Sequence, residues 1–460
     1  MRPTRRRFLA TTAALPLVGL LSGCRDMGTD SGGGATPTRD PEPDPLDTGD
    51  WDVDSFAWGL QVGDVTTATA EVRARTSHPT LSLVLWRAAG LVWEEERRID
   101  GLEVVDGTLS LSLDELEPDS AYTLVAWSQD ASSHSPGARF RTAIASGASR
   151  VLTFGASSCL ADNQPWPSMS VAALERLDLF LLLGDTIYAD RTGADGSAPA
   201  TTLEGYRGKW GAALSTAGLR DLTASTSVIA TWDDHEVDNN WTDDPSVLAD
   251  GQFEAALLSF REALPQTVGS GGLGIYRSLV WGDVAEFFVL DCRGERDPAA
   301  GLYLSQAQFD WFVAALSASR ARFKVVLNSV PLTDLDPMIG TVSASDRWQG
   351  YPEQRAALIA ALLDADVEGL LWITGDMHFG MVATVDPPGG PADGWFEVMA
   401  GPTGSELNIA GALYTEDAQF PVLLAEWNFT RFSLDPGTGV AIVTFIGDDG
   451  AILAEKQLQL

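Results

Sequence analysis

Positive charge is scarce in this chain: 30 lysines and arginines face 64 aspartates and glutamates over 460 residues, a formal net charge of −34. So acidic a surface repels nucleic acid and anionic membranes at long range, which argues against a nucleic-acid-binding surface. Cysteine, at three, and histidine, at four, are rare enough that each position can be weighed individually. Beyond the N-terminus, no apolar run is long and uninterrupted enough for a membrane helix. Neither a Gly-x-Ser-x-Gly elbow nor a Walker loop is present, so nothing supports acyl transfer or an ATP-driven reaction. No internal repeat is visible.

What is there begins with an address. Thr4-Arg5-Arg6-Arg7-Phe8-Leu9 is a twin-arginine signal, and the apolar stretch Leu9–Leu21 behind it is too short to span a bilayer. It ends in Leu21-Ser22-Gly23-Cys24, which resembles the lipobox of bacterial lipoproteins. Residues 1–24 are expected to be an export signal, with Cys24 acylated to anchor a periplasmic or cell-surface lipoprotein; a plain cleaved signal is the alternative. Residues 25–55, rich in Pro, Gly, Asp, Ser and Thr, are read as a flexible tether.

The remaining 400 or so residues suggest two domains. From 56 to 145 the pattern is short alternating strands: Thr67–Arg75, Leu81–Leu85, Thr108–Leu113, Ala121–Ser128 and Ala138–Thr142. Leu116-Glu-Pro118-Asp-Ser-Ala-Tyr122 has the form of the tyrosine corner of fibronectin-like sandwiches. With no paired cysteines, such a sandwich rests on its apolar core. From 149 to 460 strands alternate with helices and then give way to strands alone. That order predicts an α/β domain of two packed mixed sheets flanked by helices, preceded by the small all-β module.

Three apolar strands in this second region run straight into acidic clusters. Leu177–Leu183 delivers Gly184-Asp185-Thr-Ile-Tyr188-Ala-Asp190, Val228–Trp232 delivers Asp233-Asp234-His235-Glu236, and Leu370–Thr374 delivers Gly375-Asp376-Met-His378. Carboxyl ends of consecutive strands are where open α/β folds build their sites. Four acidic or imidazole groups leaving an apolar strand cost desolvation and repulsion unless a cation compensates; a solvated acidic loop is the bland alternative. Cys159 ends another strand and is open to two readings, a metal ligand or a disulfide partner of Cys292. Arg293 and Arg296 are candidates for bidentate contact with phosphate oxygens, or else pair with surface acids.

Together these motifs resemble the alkaline phosphatase D (PhoD-like) family, on the calcineurin-like metallophosphoesterase fold. The resemblance is carried by Ser157-Ser158-Cys159, Gly184-Asp185-x-x-Tyr188, Trp232-Asp-Asp-His-Glu-Val-Asp-Asn-Asn240, Leu290-Asp-x-Arg293-x-x-Arg296, Arg347-Trp-x-Gly-Tyr351-Pro and Gly375-Asp-x-His378, in the family's order. It implies that Cys159, Asp185 and Tyr188 hold Fe(III), and that Asp185, Asp234 and Asp376 bind neighbouring Ca²⁺, with His378 beside the cluster and Asn239 as a further ligand. It also implies that His235 orients the phosphate and assists the leaving group, and that a phosphate ester is the substrate, with metal-activated hydroxide as the attacking group. A phosphodiesterase acting on lipid or wall polymer is the nearest alternative. A surface-anchored binding protein with a structural metal site is a more distant one.

Overall fold

The apolar runs that end in acidic motifs are strands buried on both faces. The computed structural model describes residues 51–460, apart from 91, 162, 163, 195, 242–247, 270 and 341–343. The export signal, Cys24 and the tether up to residue 50 lie outside the described residues. Among the described residues, a nine-stranded sheet runs in the order Ile452–Gln459, Val440–Gly447, Asn428–Asp435, Leu152–Ser157, Leu179–Leu182, Val228–Ala230, Leu60–Gly63, Ala70–Arg75, Thr108–Leu113. A seven-stranded sheet runs Arg277–Trp281, Ala285–Val289, Phe323–Leu327, Leu370–Thr374, Phe396–Met399, Gly380–Thr384, Val422–Leu424. The central strands of each are parallel, as their unbroken apolar sequences require when both faces are covered.

Alternation along each strand divides its side chains between two layers. Leu179 and Leu181 point into the core between the sheets with Phe154, Phe287, Val325 and Ile373. Phe180 and Leu182 point the other way, against Trp210, Leu222 and Phe260 of the flanking helices. On the second sheet Phe288, Val326 and Trp372 pack with Phe312 and Leu358 of the opposite helical layer. Helix Gln306–Ala318 starts where Ser305 Oγ accepts from the Gln308 N–H at 3.2 Å, and Pro352 opens helix Pro352–Asp364 at a position that needs no N–H. No helix among the described residues is long and apolar enough to cross a membrane.

The region expected as a separate sandwich is built differently at its boundary. Thr80–Ala89, Val92–Glu103, Ala121–Ser128 and Ala138–Arg141 form a four-stranded sheet, and it shares an apolar core with Leu60–Gly63, Ala70–Arg75 and Thr108–Leu113. Tyr122 Oη accepts from the Glu117 N–H at 2.8 Å, the expected corner. Yet the last three strands belong to the nine-stranded sheet, because Leu60–Gly63 pairs in parallel with Val228–Ala230 at Gly63 and Val228. A Cβ on Gly63 would lie 2.3 Å from the Pro265 carbonyl oxygen, so only glycine permits this junction. Strand Val92–Glu103 was not expected. Its Trp-Glu-Glu-Glu-Arg-Arg sequence is largely exposed along the edge of the four-stranded sheet, where apolar alternation is not required.

Candidate metal centre

Strands from both sheets deliver their chain ends to one place. Leu152–Ser157 is followed by Ser158 and Cys159, Leu179–Leu182 by Asp185 and Tyr188, Val228–Ala230 by Asp233 to Glu236, and Leu370–Thr374 by Asp376 and His378. Cys159, Asp185, Asp376 and His378 all have positive φ, at 57°, 55°, 68° and 60°. Left-handed conformations at side-chain-bearing residues persist only where the surroundings over-determine them, and they cluster at functional sites. Gly184, with φ of 100°, makes room for the meeting: a Cβ there would sit 2.5 Å from Asp233 Cβ.

Cys159, Asp185 and His378 offer donor atoms within 4.8 Å of one another, as do Asp185, Asp234 and His235, and Asp233, Asp234 and Asp376. Asp185 and Asp234 each belong to two of these groups, so the three form one continuous cluster. Tyr188 Oη lies 3.1 Å from Asp185 Oδ2 and 3.2 Å from His378 Nε2. His378 Nδ1 is 2.9 Å from the Glu406 carbonyl oxygen, which holds the proton on Nδ1 and leaves the Nε2 lone pair facing the cluster. Burial pushes the His378 pKa down to about 4, keeping that lone pair free at neutral pH.

The electrostatics call for positive charge. Burial, then Asp234 and Asp233, pushes the Asp185 carboxyl well above the usual range, and burial with Asp233 and Asp346 does the same to Asp376. The Cys159 thiol and Tyr188 phenol are raised by burial and by Asp185. Asp376 Oδ2 is buried with no hydrogen-bond partner among the described residues. An orphaned carboxylate oxygen with further carboxylate, thiol and phenol groups converging on one volume fits multivalent cations, whose charge would let all of them ionise.

Around the cluster stand groups that hold it in shape. Glu236 accepts from the N–H groups of Asp185, Thr186 and Asp233 at 2.9, 2.7 and 2.9 Å, so one carboxylate ties two ligand loops together. Burial pushes its pKa up to about 7. His235 Nδ1 lies 2.7 Å from Asp190 Oδ1, and its ring stacks on Tyr188 with centroids 4.0 Å apart. Burial lowers the His235 pKa, but the Asp190 hydrogen bond and the Asp234 charge outweigh it and hold the imidazole above its ordinary value.

Three expected site residues stand elsewhere than expected. Arg293 and Arg296 are 0 % exposed and face inward. Arg293 donates to Asp233 at 2.7 and 3.1 Å and to Asp346, and Arg296 to Asp346 at 2.6 Å and to the Cys292 carbonyl oxygen at 2.9 Å. Arg293 Nη2 also lies 3.8 Å from Asp234 Oδ1 and 3.7 Å from Asp376 Oδ1, so these arginines are taken up by carboxylates in and beside the cluster and do not stand free as phosphate clamps. Asn239 and Asn240 are both exposed, and it is Asn240 whose groups bond to the cluster. The Asn240 backbone N–H donates to Asp234 Oδ2 at 2.7 Å, and its amide lies 3.0 Å from Asp234 Oδ2 and 2.9 Å from Asp346 Oδ2. Two adjacent asparagines after one strand carry no signal that tells them apart. Cys159 and Cys292 are both buried and free, so no disulfide links them.

Asp190, Glu236 and Asp346 were missed as functional positions. Asp190 and Glu236 lie inside motifs already singled out, but their roles depend on which way the loops turn. Asp346 comes from a distant loop, and only the fold brings it to Arg293.

The model of the PhoD-like phosphatase family matches residues 154–425, which include every ligand candidate above. The chain belongs to the PhoD-like phosphatase family. It is 28% identical over 268 residues to alkaline phosphatase D of Bacillus subtilis (strain 168), covering 49% of this chain and 46% of that protein. The match thus spans about half the length of that curated relative. Among solved structures, that of PhoD superposes with a TM-score of 0.75 at 21% identity, covering 87% of this chain and 89% of the other. Purple acid phosphatase PPD1 from yellow lupin seeds gives 0.62 at 14% identity, over 87% and 73%. At these identities the structures establish a shared metallophosphoesterase fold.

Proposed function

We propose that this PhoD-like chain is an exported, metal-dependent hydrolase of phosphomonoesters or phosphodiesters. One observation carries the reading: Asp185, Asp234 and Asp376, from three separate strands, belong to a single cluster of donor atoms. Cys159, Asp185, Tyr188 and His378 would hold Fe(III), which suits phenolate and thiolate donors, and Asp185, Asp234 and Asp376 would hold Ca²⁺ beside it. Bound cations there neutralise phosphoryl oxygens and lower the pKa of water.

The chain's own groups do the rest. His235, hydrogen-bonded to Asp190, stands beside Asp185 and Asp234, where in its protonated form it can hold a phosphoryl oxygen and give its proton to the departing alkoxide. Glu236 and the Arg293–Asp233 pair keep the ligand loops from relaxing under mutual repulsion.

Elemental analysis of the purified protein, with its visible spectrum and a panel of mono- and diesters, tests this. Iron and calcium, a phenolate-to-iron absorption band and turnover of at least one ester are expected. Protein that carries metal yet hydrolyses no ester is a binding protein instead. The twin-arginine signal and Cys24 support export and a lipid anchor in the periplasm or at the cell surface. Cys24→Ala should release the protein from the membrane fraction of cells, and unchanged membrane retention rejects the anchor.

A further inference from the structure

We infer that Arg191 is the cation that meets the substrate's phosphate, and that it favours a terminal, doubly charged phosphomonoester over a diester. This rests on the phosphoesterase reading above. The need for such a group is plain: the centre is lined with carboxylates, and Arg293 and Arg296 are buried and taken up by pairing with them and with Asp346.

Arg191 differs from them in every relevant respect. It is half-buried, and among the described residues its guanidinium makes no ion pair and no hydrogen bond. It lies over the Tyr188 ring, 4.5 Å from the centroid, on the face of a residue whose hydroxyl touches Asp185 and His378. It also lines a cavity of about 130 Å³ with Tyr188, Ile187, Trp166 and Lys209, so open space adjoins it.

The backbone beneath this guanidinium is fixed. Arg191 N–H donates to the Tyr188 carbonyl oxygen at 3.3 Å, and Lys209 Nζ donates to the Arg191 carbonyl oxygen at 2.5 Å. Ala189, two residues before, is tied to the His235 carbonyl oxygen at 2.9 Å. A pinned main chain with an unpartnered planar donor at its tip is arranged for an incoming ligand with paired oxygens. A monoester's terminal phosphate brings one more charge and one more non-bridging oxygen than a diester does, so it gains more from that donor.

The test compares wild type, Arg191→Lys and Arg191→Gln as metal-loaded proteins. It measures kcat/KM for p-nitrophenyl phosphate and bis(p-nitrophenyl) phosphate, and inorganic phosphate binding by calorimetry. In Arg191→Gln, phosphate affinity and monoester kcat/KM should fall by about 10–100-fold, the latter through KM, as for a lost charge-assisted bond, with roughly threefold or less on the diester. Arg191→Lys should recover part of the loss, and metal content should not change. Unchanged phosphate affinity, an equal loss on both esters, or a loss that merely follows lost metal overturns the inference. Should wild type be inert toward both esters, the phosphoesterase reading falls, and phosphate affinity alone decides whether Arg191 binds an anion.

Discussion

Two strands of one sheet, Leu60–Gly63 and Leu179–Leu182, each run into aspartate, and the two ends have opposite fates. Asp64, 0 % exposed, is answered by the protein itself. Arg277 donates to both its oxygens at 2.6 and 2.8 Å, and Thr267 adds its N–H at 2.6 Å and its hydroxyl at 2.9 Å. Around the other end, Asp185 and Asp376 are pushed up by burial and by one another's neighbours, and Asp376 Oδ2 has no partner among the described residues. An acid at a strand end is therefore no mark of a site. What separates the two is whether the fold supplies a full ion pair, as Arg277 does for Asp64, or, with Arg293 shared among several acids, leaves much of the charge to an ion from outside.

Breaking each end should have a different consequence. His235→Ala removes a proton donor beside the open end, and turnover should fall by about 10²–10⁴ with metal content and melting temperature preserved. Full activity in that variant would take His235 out of the reaction. Asp64→Ala strikes the satisfied end and leaves Arg277 buried without its counter-charge. A loss of roughly 3–5 kcal/mol in chemical denaturation is expected, while kcat of the folded fraction holds. A variant as stable as wild type would show that the junction pair contributes nothing.

The smallest effect sharpens the assignment of roles at the open end. Asp190 holds the His235 pKa above its ordinary value, so His235 keeps its proton to higher pH than a free imidazole. Asp190→Asn should move the alkaline limb of kcat/KM to lower pH, with a modest change at the plateau. In stability the same pair contributes fully below the unfolded pKa of histidine, and its contribution is lost as pH rises through the raised folded value. A limb that stays in place would mean that His235 does not act as the acid.

Much of this was legible before any coordinates. Strands buried on both faces announce themselves as runs such as Leu-Phe-Leu-Leu or Leu-Leu-Trp-Ile-Thr, and turn chemistry marks their ends. The tyrosine corner could be placed because its partners lie five residues apart in sequence. Exposed Val92–Glu103 could not, since an edge strand facing water needs no apolar code. For the two arginines the sequence left phosphate contact and pairing with acids both open, and the fold pairs them with acids. Their side chains are long enough to face either way, and the choice was made by Asp346, some 50 residues downstream.

The sequence alone marked the candidate ligands, because clustered acids, a cysteine and imidazoles at strand ends are costly to keep without a cation. It determined the family too, through the order and spacing of those motifs. Tertiary structure decided what spacing cannot encode. It showed which of two adjacent asparagines bonds to Asp234, that Asp64 is satisfied while Asp376 Oδ2 is not, and that Arg191 faces open space as Arg293 does not. These are properties of pairs brought together by the fold, and the charge on one partner has meaning only once the distance to the other is set.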